Sequence, residues 1–96
     1  MWARVTEVQG DPAQLDDAIR VIEAQVLPLV RETPGTRGSY WLADRQSGRL
    51  LVVAFWETEE ALRFSAEAMA QSRTETTQQV GATVQSVNEY EVVAHS

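Results

Sequence analysis

An indole, a phenol and a guanidinium are the groups in this chain whose placement could do chemistry. Trp56 ends the apolar run LLVVAFW, Tyr40 lies in GSYWLAD, and Arg73 follows an apolar helical stripe. Together they could orient an aromatic ring and stabilise an oxyanion or enolate forming on it. Each also has a plainer reading: a core Trp whose N–H bonds to backbone, a Tyr packed through its ring, a solvated Arg near a helix end. Phe64 and Met69 flank the same stripe and would either line a pocket beside Trp56 or fill it. Glu89 and Glu91, two apart on a strand, could act as acid and base. On an edge strand such carboxylates chiefly discourage strand addition. Arg4 could pair with an acid across the sheet or across an assembly.

What is missing narrows the chemistry further. The chain has no cysteine, which removes disulfides, thiol catalysis and Cys-based metal sites. Its one histidine, His95, lies next to the C-terminal residue, so no His-rich metal centre is expected and a Ser-His-Asp relay would hang on a frayed tail. All eight basic residues are Arg, scattered from Arg4 to Arg73; without Lys there is no Schiff base and no P-loop lysine. A net charge of −6 with no basic cluster repels phosphate backbones, so no nucleic-acid partner is expected. No apolar run approaches the ~18 residues needed to span a bilayer, and no signal-like segment opens the chain. The expectation is a cytoplasmic protein without a membrane partner, a metal or a cofactor. Its 96 residues, 44% apolar and 23% charged, predict a single domain over 1–96.

The elements that must position these groups follow from periodicity. A first strand spans Trp2 to Gln9. Asp11 reads as an N-cap, with Pro12 at the first helical position and Gln14 placed for a capping box. Leu15, Ala18, Ile19, Ile22, Val26 and Leu29 form one helical stripe. Pro28 should kink or interrupt it. Strands are predicted over Gly38–Asp44 and Leu50–Trp56, joined by a three-residue hairpin with Arg45 opposite Arg49 and Gly48 left-handed. That register puts Tyr40, Leu42, Val52, Ala54 and Trp56 on one face and Trp41, Leu51, Val53 and Phe55 on the other; a one-residue slip exchanges the sets. Thr58 caps a second helix whose stripe is Ala61, Leu62, Ser65, Ala68, Met69 and Ser72, flanked by Phe64. Residues 73–79 read as a weak last turn or a loop, stopped by Gly81. A last strand runs from Ala82 to Ala94, with Val84, Tyr90 and Val92 in one phase. The order βαββαβ predicts a ferredoxin-like α+β fold, a four-stranded antiparallel sheet with both helices on one face.

Two helices cover one face of such a sheet, and the other face should then alternate with polar residues. LLVVAFW does not alternate. Trp41, Leu51, Val53 and Phe55 would form a contiguous apolar surface, and the default cover is a second copy in a symmetric homodimer.

At its strand-to-helix junction the chain resembles the dimeric α/β-barrel superfamily, in particular antibiotic-biosynthesis-monooxygenase-type domains. Phe55-Trp56-Glu57-Thr58-Glu59-Glu60-Ala61-Leu62 is similar to the family's W-E-[ST]-x-x-A-L pattern, and Pro34-Gly35 and Asp44 through Gly48 also fit. The resemblance implies two sheets packed face to face and a pocket between each sheet and its helices. It also implies cofactor-free oxygenation of a polycyclic aromatic substrate, or a non-catalytic binding or dimerisation module on the same fold. Haem-degrading members carry an Asn on the first strand and a His on the second helix. Here those regions read Ala3-Arg4 and Ser65-Ala66-Glu67, so haem chemistry is not expected. The candidate pocket is therefore Trp56, Tyr40, Phe64, Met69 and Arg73, open to a small aromatic or apolar ligand. The candidate dimer face is Trp41, Leu51, Val53 and Phe55.

Overall fold

The computed structural model describes residues Met1–Ser96. Its elements are β1 (Trp2–Gln9), a 3-10 turn (Pro12–Gln14), α1 (Leu15–Val21), a π-helical segment (Ile22–Val26), α2 (Leu27–Glu32), β2 (Thr36–Ala43), β3 (Arg49–Trp56), α3 (Glu59–Val80) and β4 (Thr83–Glu91). The strands make one antiparallel sheet in the order β2-β3-β1-β4. The helices cover one face of it, which is the ferredoxin-like arrangement. No helix is long and apolar enough to cross a membrane.

The first helical layer starts as its sequence dictates. The Asp11 carboxylate accepts from the Ala13 N–H, and Pro12 takes a position where no N–H is needed. The Gln14 half of the expected capping box does not form; its backbone N–H donates to the Asp11 carbonyl instead. Pro28 has no N–H for the carbonyl of Ala24. The chain answers with a wider turn, in which the Leu27 N–H reaches back five residues to the Ile22 carbonyl. Pro28 then falls in the first turn of α2, where it costs no bond. Ile22, Val26 and Val30 stay on one buried line across this irregularity.

α3 is capped by the Thr58 hydroxyl, which accepts from the Ala61 N–H, and Glu59 and Glu60 occupy its first turn. It continues through residues 73–79, where a loop was an open alternative. The hydroxyls of Thr74, Thr76 and Thr77 donate to carbonyls four residues back, so these side chains do not compete with the helix from outside it. Gly81 ends it at φ 69°.

The hairpin departs from the predicted register. The Asp44 N–H donates to the Arg49 carbonyl, so Asp44 and not Arg45 closes the turn, and the loop is one residue longer. Ala43 pairs with Leu50, Trp41 with Val52 and Tyr40 with Val53. β3 keeps its expected faces, but those of β2 are exchanged. Trp41 lies on the helix side, and Tyr40 and Leu42 join Leu51, Val53 and Phe55 on the open side. β4 also breaks its expected phase. A bulge opposite Glu7 and Val8 puts Val84 toward the helices, where it packs against Val8, Leu15 and Leu50, while Tyr90 pairs with Ala3 on the open side.

Two glycines explain how the loops close. A Cβ on Gly35 would stand 2.4 Å from the Ala61 Cβ, at φ 82°. The Gly35 carbonyl accepts from the Glu57 N–H, which locks the chain before β2 against the start of α3. A Cβ on Gly48 would meet the Gly10 carbonyl at 2.5 Å. The hairpin tip thus lies directly on the turn that follows β1, with the Gly10 N–H donating to the Gly48 carbonyl.

Candidate functional site: the cavity between sheet and helices

Trp56 is the pivot of the core. It is fully buried among Ile22, Val26, Val30, Leu62 and Met69. Its indole N–H is nonetheless without a hydrogen-bond partner. Folds rarely leave a buried donor unpaired, so this one calls for an explanation.

Arg4 lies against Trp56, its guanidinium carbon 5.8 Å from the ring centroid. The antiparallel register of β1 and β4 sets Arg4 directly opposite Glu89. Nε and Nη2 of Arg4 donate to one Glu89 oxygen at 3.2 and 3.0 Å, Nη2 also to the Leu62 carbonyl at 2.7 Å, and Nη1 to the Ser65 hydroxyl at 3.3 Å. Arg4 is thus tied to the sheet edge and to α3 at once. Its pairing is across the sheet, one of the two options open from sequence.

Arg73, one turn beyond Met69 on α3, is half-buried, and its side chain makes no ion pair or hydrogen bond. Burial, and secondarily the nearby Arg4, hold its guanidinium below the ordinary value, while Glu89 acts in the opposite direction. An arginine stays charged through such a shift.

These residues line a cavity of about 90 Å³ between the sheet and the helices. Its walls are mainly apolar, with Val26, Val30, Trp41, Val52, Trp56 and Met69 among them. Its only charged lining residues are Arg4 and Arg73; no Asp, Glu or His lines it. An open groove of about 360 Å³ adjoins it, sharing Val30 and Ser39 and carrying Arg31 on its rim. The Ser39 hydroxyl accepts from the Trp41 indole N–H at 3.2 Å. The cavity by itself is below the roughly 300 Å³ at which ligand pockets usually begin.

Of the residues proposed from sequence for this pocket, the structure brings Trp56, Met69 and Arg73 together around the cavity. It does not bring Tyr40 or Phe64. Tyr40 is 66% exposed on the open side, edge-on to Phe55 at 6.4 Å, because the longer hairpin turned β2 over. Phe64 is 73% exposed on the outer surface of α3, off the line of Leu62, Ser65 and Met69. Trp41, expected on the dimer face, is the aromatic that lines the cavity in place of Tyr40. Leu51, Val53 and Phe55 do share the open side. Glu89 lies on the edge strand β4 and is also the counter-charge of Arg4.

The donors at this cavity do not fit haem. Ser65 on α3 is buried and donates to the Leu62 carbonyl. His95 lies beyond β4 and away from the cavity. No lining group offers an imidazole, thiolate or phenolate; the one sulfur is the thioether of Met69.

Comparison with known proteins places this architecture. The uncharacterized protein Rv2558 of Mycobacterium tuberculosis is 38% identical over 73 residues, which is 76% of this chain and 31% of that protein. The chain therefore spans about a third of that relative's length. Solved structures share the fold, two of them as follows. The haem-degrader MhuD of Mycobacterium tuberculosis, with two haems bound in its active site, superimposes with a TM-score of 0.78 at 23% identity, covering 100% of this chain and 99% of MhuD. A dimeric ferredoxin-like protein from an uncultured marine organism gives 0.77 at 11% identity, covering 100% and 98%. The family description antibiotic biosynthesis monooxygenase matches residues 1–75, and the chain belongs to that family.

Proposed function

We propose that the cavity beneath Trp56 binds a small aromatic or apolar molecule, that two copies act as a face-to-face homodimer, and that an electron-rich ring bound there reacts with dioxygen without a cofactor. The observation that carries this reading is the fully buried indole N–H of Trp56, which has no partner within the chain. An acceptor oxygen on a ligand satisfies it. The apolar walls hold a ring, and Arg73 offsets negative charge that collects on a phenol or enol oxygen. Such an enolate carbon couples with dioxygen to a hydroperoxide, which loses water to leave a carbonyl. The protein's part is orientation and charge stabilisation.

The dimer reading rests on the open side of the sheet. Tyr40, Leu42, Leu51, Val53 and Phe55 lie together there, none of them buried within one copy. A second copy covers this face and removes apolar area worth about 25 cal/mol per Å². The dimeric marine protein of the same fold supports that choice of partner.

A second reading, ligand binding without turnover, is favoured by the lining itself. No carboxylate or imidazole stands in the cavity to take a proton from a carbon acid. Oxygen uptake with anthrone- or quinol-like compounds separates the two. The oxygenase reading expects uptake by the wild type and a loss of at least about tenfold in Trp56→Phe. Tyr40→Phe, on the far side of the sheet, should leave the uptake unchanged. No uptake by the wild type leaves the binding reading alone.

A further inference from the structure

The chain carries 14 acidic and eight basic residues, yet both charged side chains lining the cavity are arginines. They are not equivalent. Arg4 spends its donors on Glu89, Ser65 and Leu62, and its charge is offset by Glu89 at 3.0 Å. The Arg73 side chain is in no ion pair, and Glu89 acts on it only from further off. Arg4, Arg73 and Glu89 therefore sum to a single positive charge at one end of an apolar space. The Trp56 N–H adds a second unpaired donor.

We propose that Arg73 and Glu89 set the charge of the ligand, so that the cavity takes a singly charged aromatic acid in preference to neutral or doubly charged relatives. The inference rests on the cavity reading above and deepens it. A neutral ring displaces water from Arg73 and returns nothing to its charge. A monoanion returns one charge and supplies acceptor-only oxygens to both free donors. A dianion brings a second charge toward Glu89, which stands outside the cavity lining on the far side of Arg4, and is repelled. Glu89 is thus the residue that limits the preference to one negative charge. It touches Arg4 and acts on the ligand only through charge.

The test is an NMR titration of the full chain with benzoate, benzamide and isophthalate at constant ionic strength and neutral pH. The readout is the indole N–H signal of Trp56, assigned by its absence in Trp56→Phe. The expected order is benzoate tightest, by about tenfold over the other two. Arg73→Met should bring benzoate and benzamide within about twofold. Glu89→Gln keeps an acceptor for Arg4 while removing the charge; it should tighten isophthalate about tenfold and benzoate less. The indole signals of Trp2 and Trp41 report whether each variant is folded, and if Glu89→Gln is not, Arg73→Met decides alone. Benzamide binding as tightly as benzoate to the wild type, or unchanged ratios in folded Arg73→Met, overturns the proposal and leaves the cavity reading standing. No shift of the Trp56 signal with any probe overturns both.

Discussion

Burying the Trp56 N–H without a partner costs about 1–3 kcal/mol, while the ring itself contributes more than that through its burial. The two effects weigh differently in different variants. Trp56→Ala empties the centre of the core and should lose about 3–5 kcal/mol in urea unfolding. Trp56→Phe removes the unpaired donor with only part of the volume and should lose less than about 1.5 kcal/mol, while ligand affinity falls. Arg4→Met removes a cation held by Glu89, Leu62 and Ser65; the expected loss is about 1–3 kcal/mol by the same measurement. At this scale the sequence pointed to Trp56 at the end of an apolar strand, to Met69 on the second helical stripe and to Arg73 just beyond that stripe. It did not separate Tyr40 from Trp41, since GSYWLAD is apolar in both phases and either register buries an aromatic ring. The Arg4–Glu89 pair was hidden for a different reason: it depends on how β1 and β4 align across the whole chain, which no local pattern encodes.

The hairpin between β2 and β3 shows where element boundaries are decided. The Asp44 carboxylate accepts from the Gln46 N–H at 3.0 Å while the Asp44 backbone closes on Arg49, and this local turn outcompetes the shorter loop. An Asp four residues before a left-handed Gly was the available signal. The Gln46 N–H, followed by the Ser47 hydroxyl and N–H, holds the Asp44 carboxyl below its ordinary 3.8. A carboxylate lowered on folding contributes stability that is fully present above 3.8 and is lost as pH falls through the folded value. Asp44→Asn should therefore flatten the stability profile in that acid window and leave its shape unchanged near neutrality, as read from thermal melts. The Pro34-Gly35 element is stricter. Gly35→Ala forces a methyl into Ala61 at a left-handed φ and should lower stability by about 1–3 kcal/mol in urea unfolding. The loop alternative for residues 73–79 undervalued threonines that bond back to their own helix.

For the molecule as a whole, the element order was legible from periodicity and caps along the chain, and the two-sided apolar character of β3 from LLVVAFW, because β3 has neighbours on both sides and helices over one face. What could not be read was which β2 residues share each face, and so the composition of cavity and open side. The open side predicts a concentration-dependent dimer. Sedimentation velocity should show the wild type as two copies at micromolar concentration, and Val53→Asp as one copy with its helix content retained. The account's central claim is that ligand binds between the sheet and the helices, beneath Trp56. Intermolecular NOEs from the ring protons of bound benzoate test it most directly. The account predicts NOEs to the Met69 and Val52 methyl groups and to the Trp56 indole; NOEs confined to Tyr40, Leu51 and Val53 on the open side would contradict it.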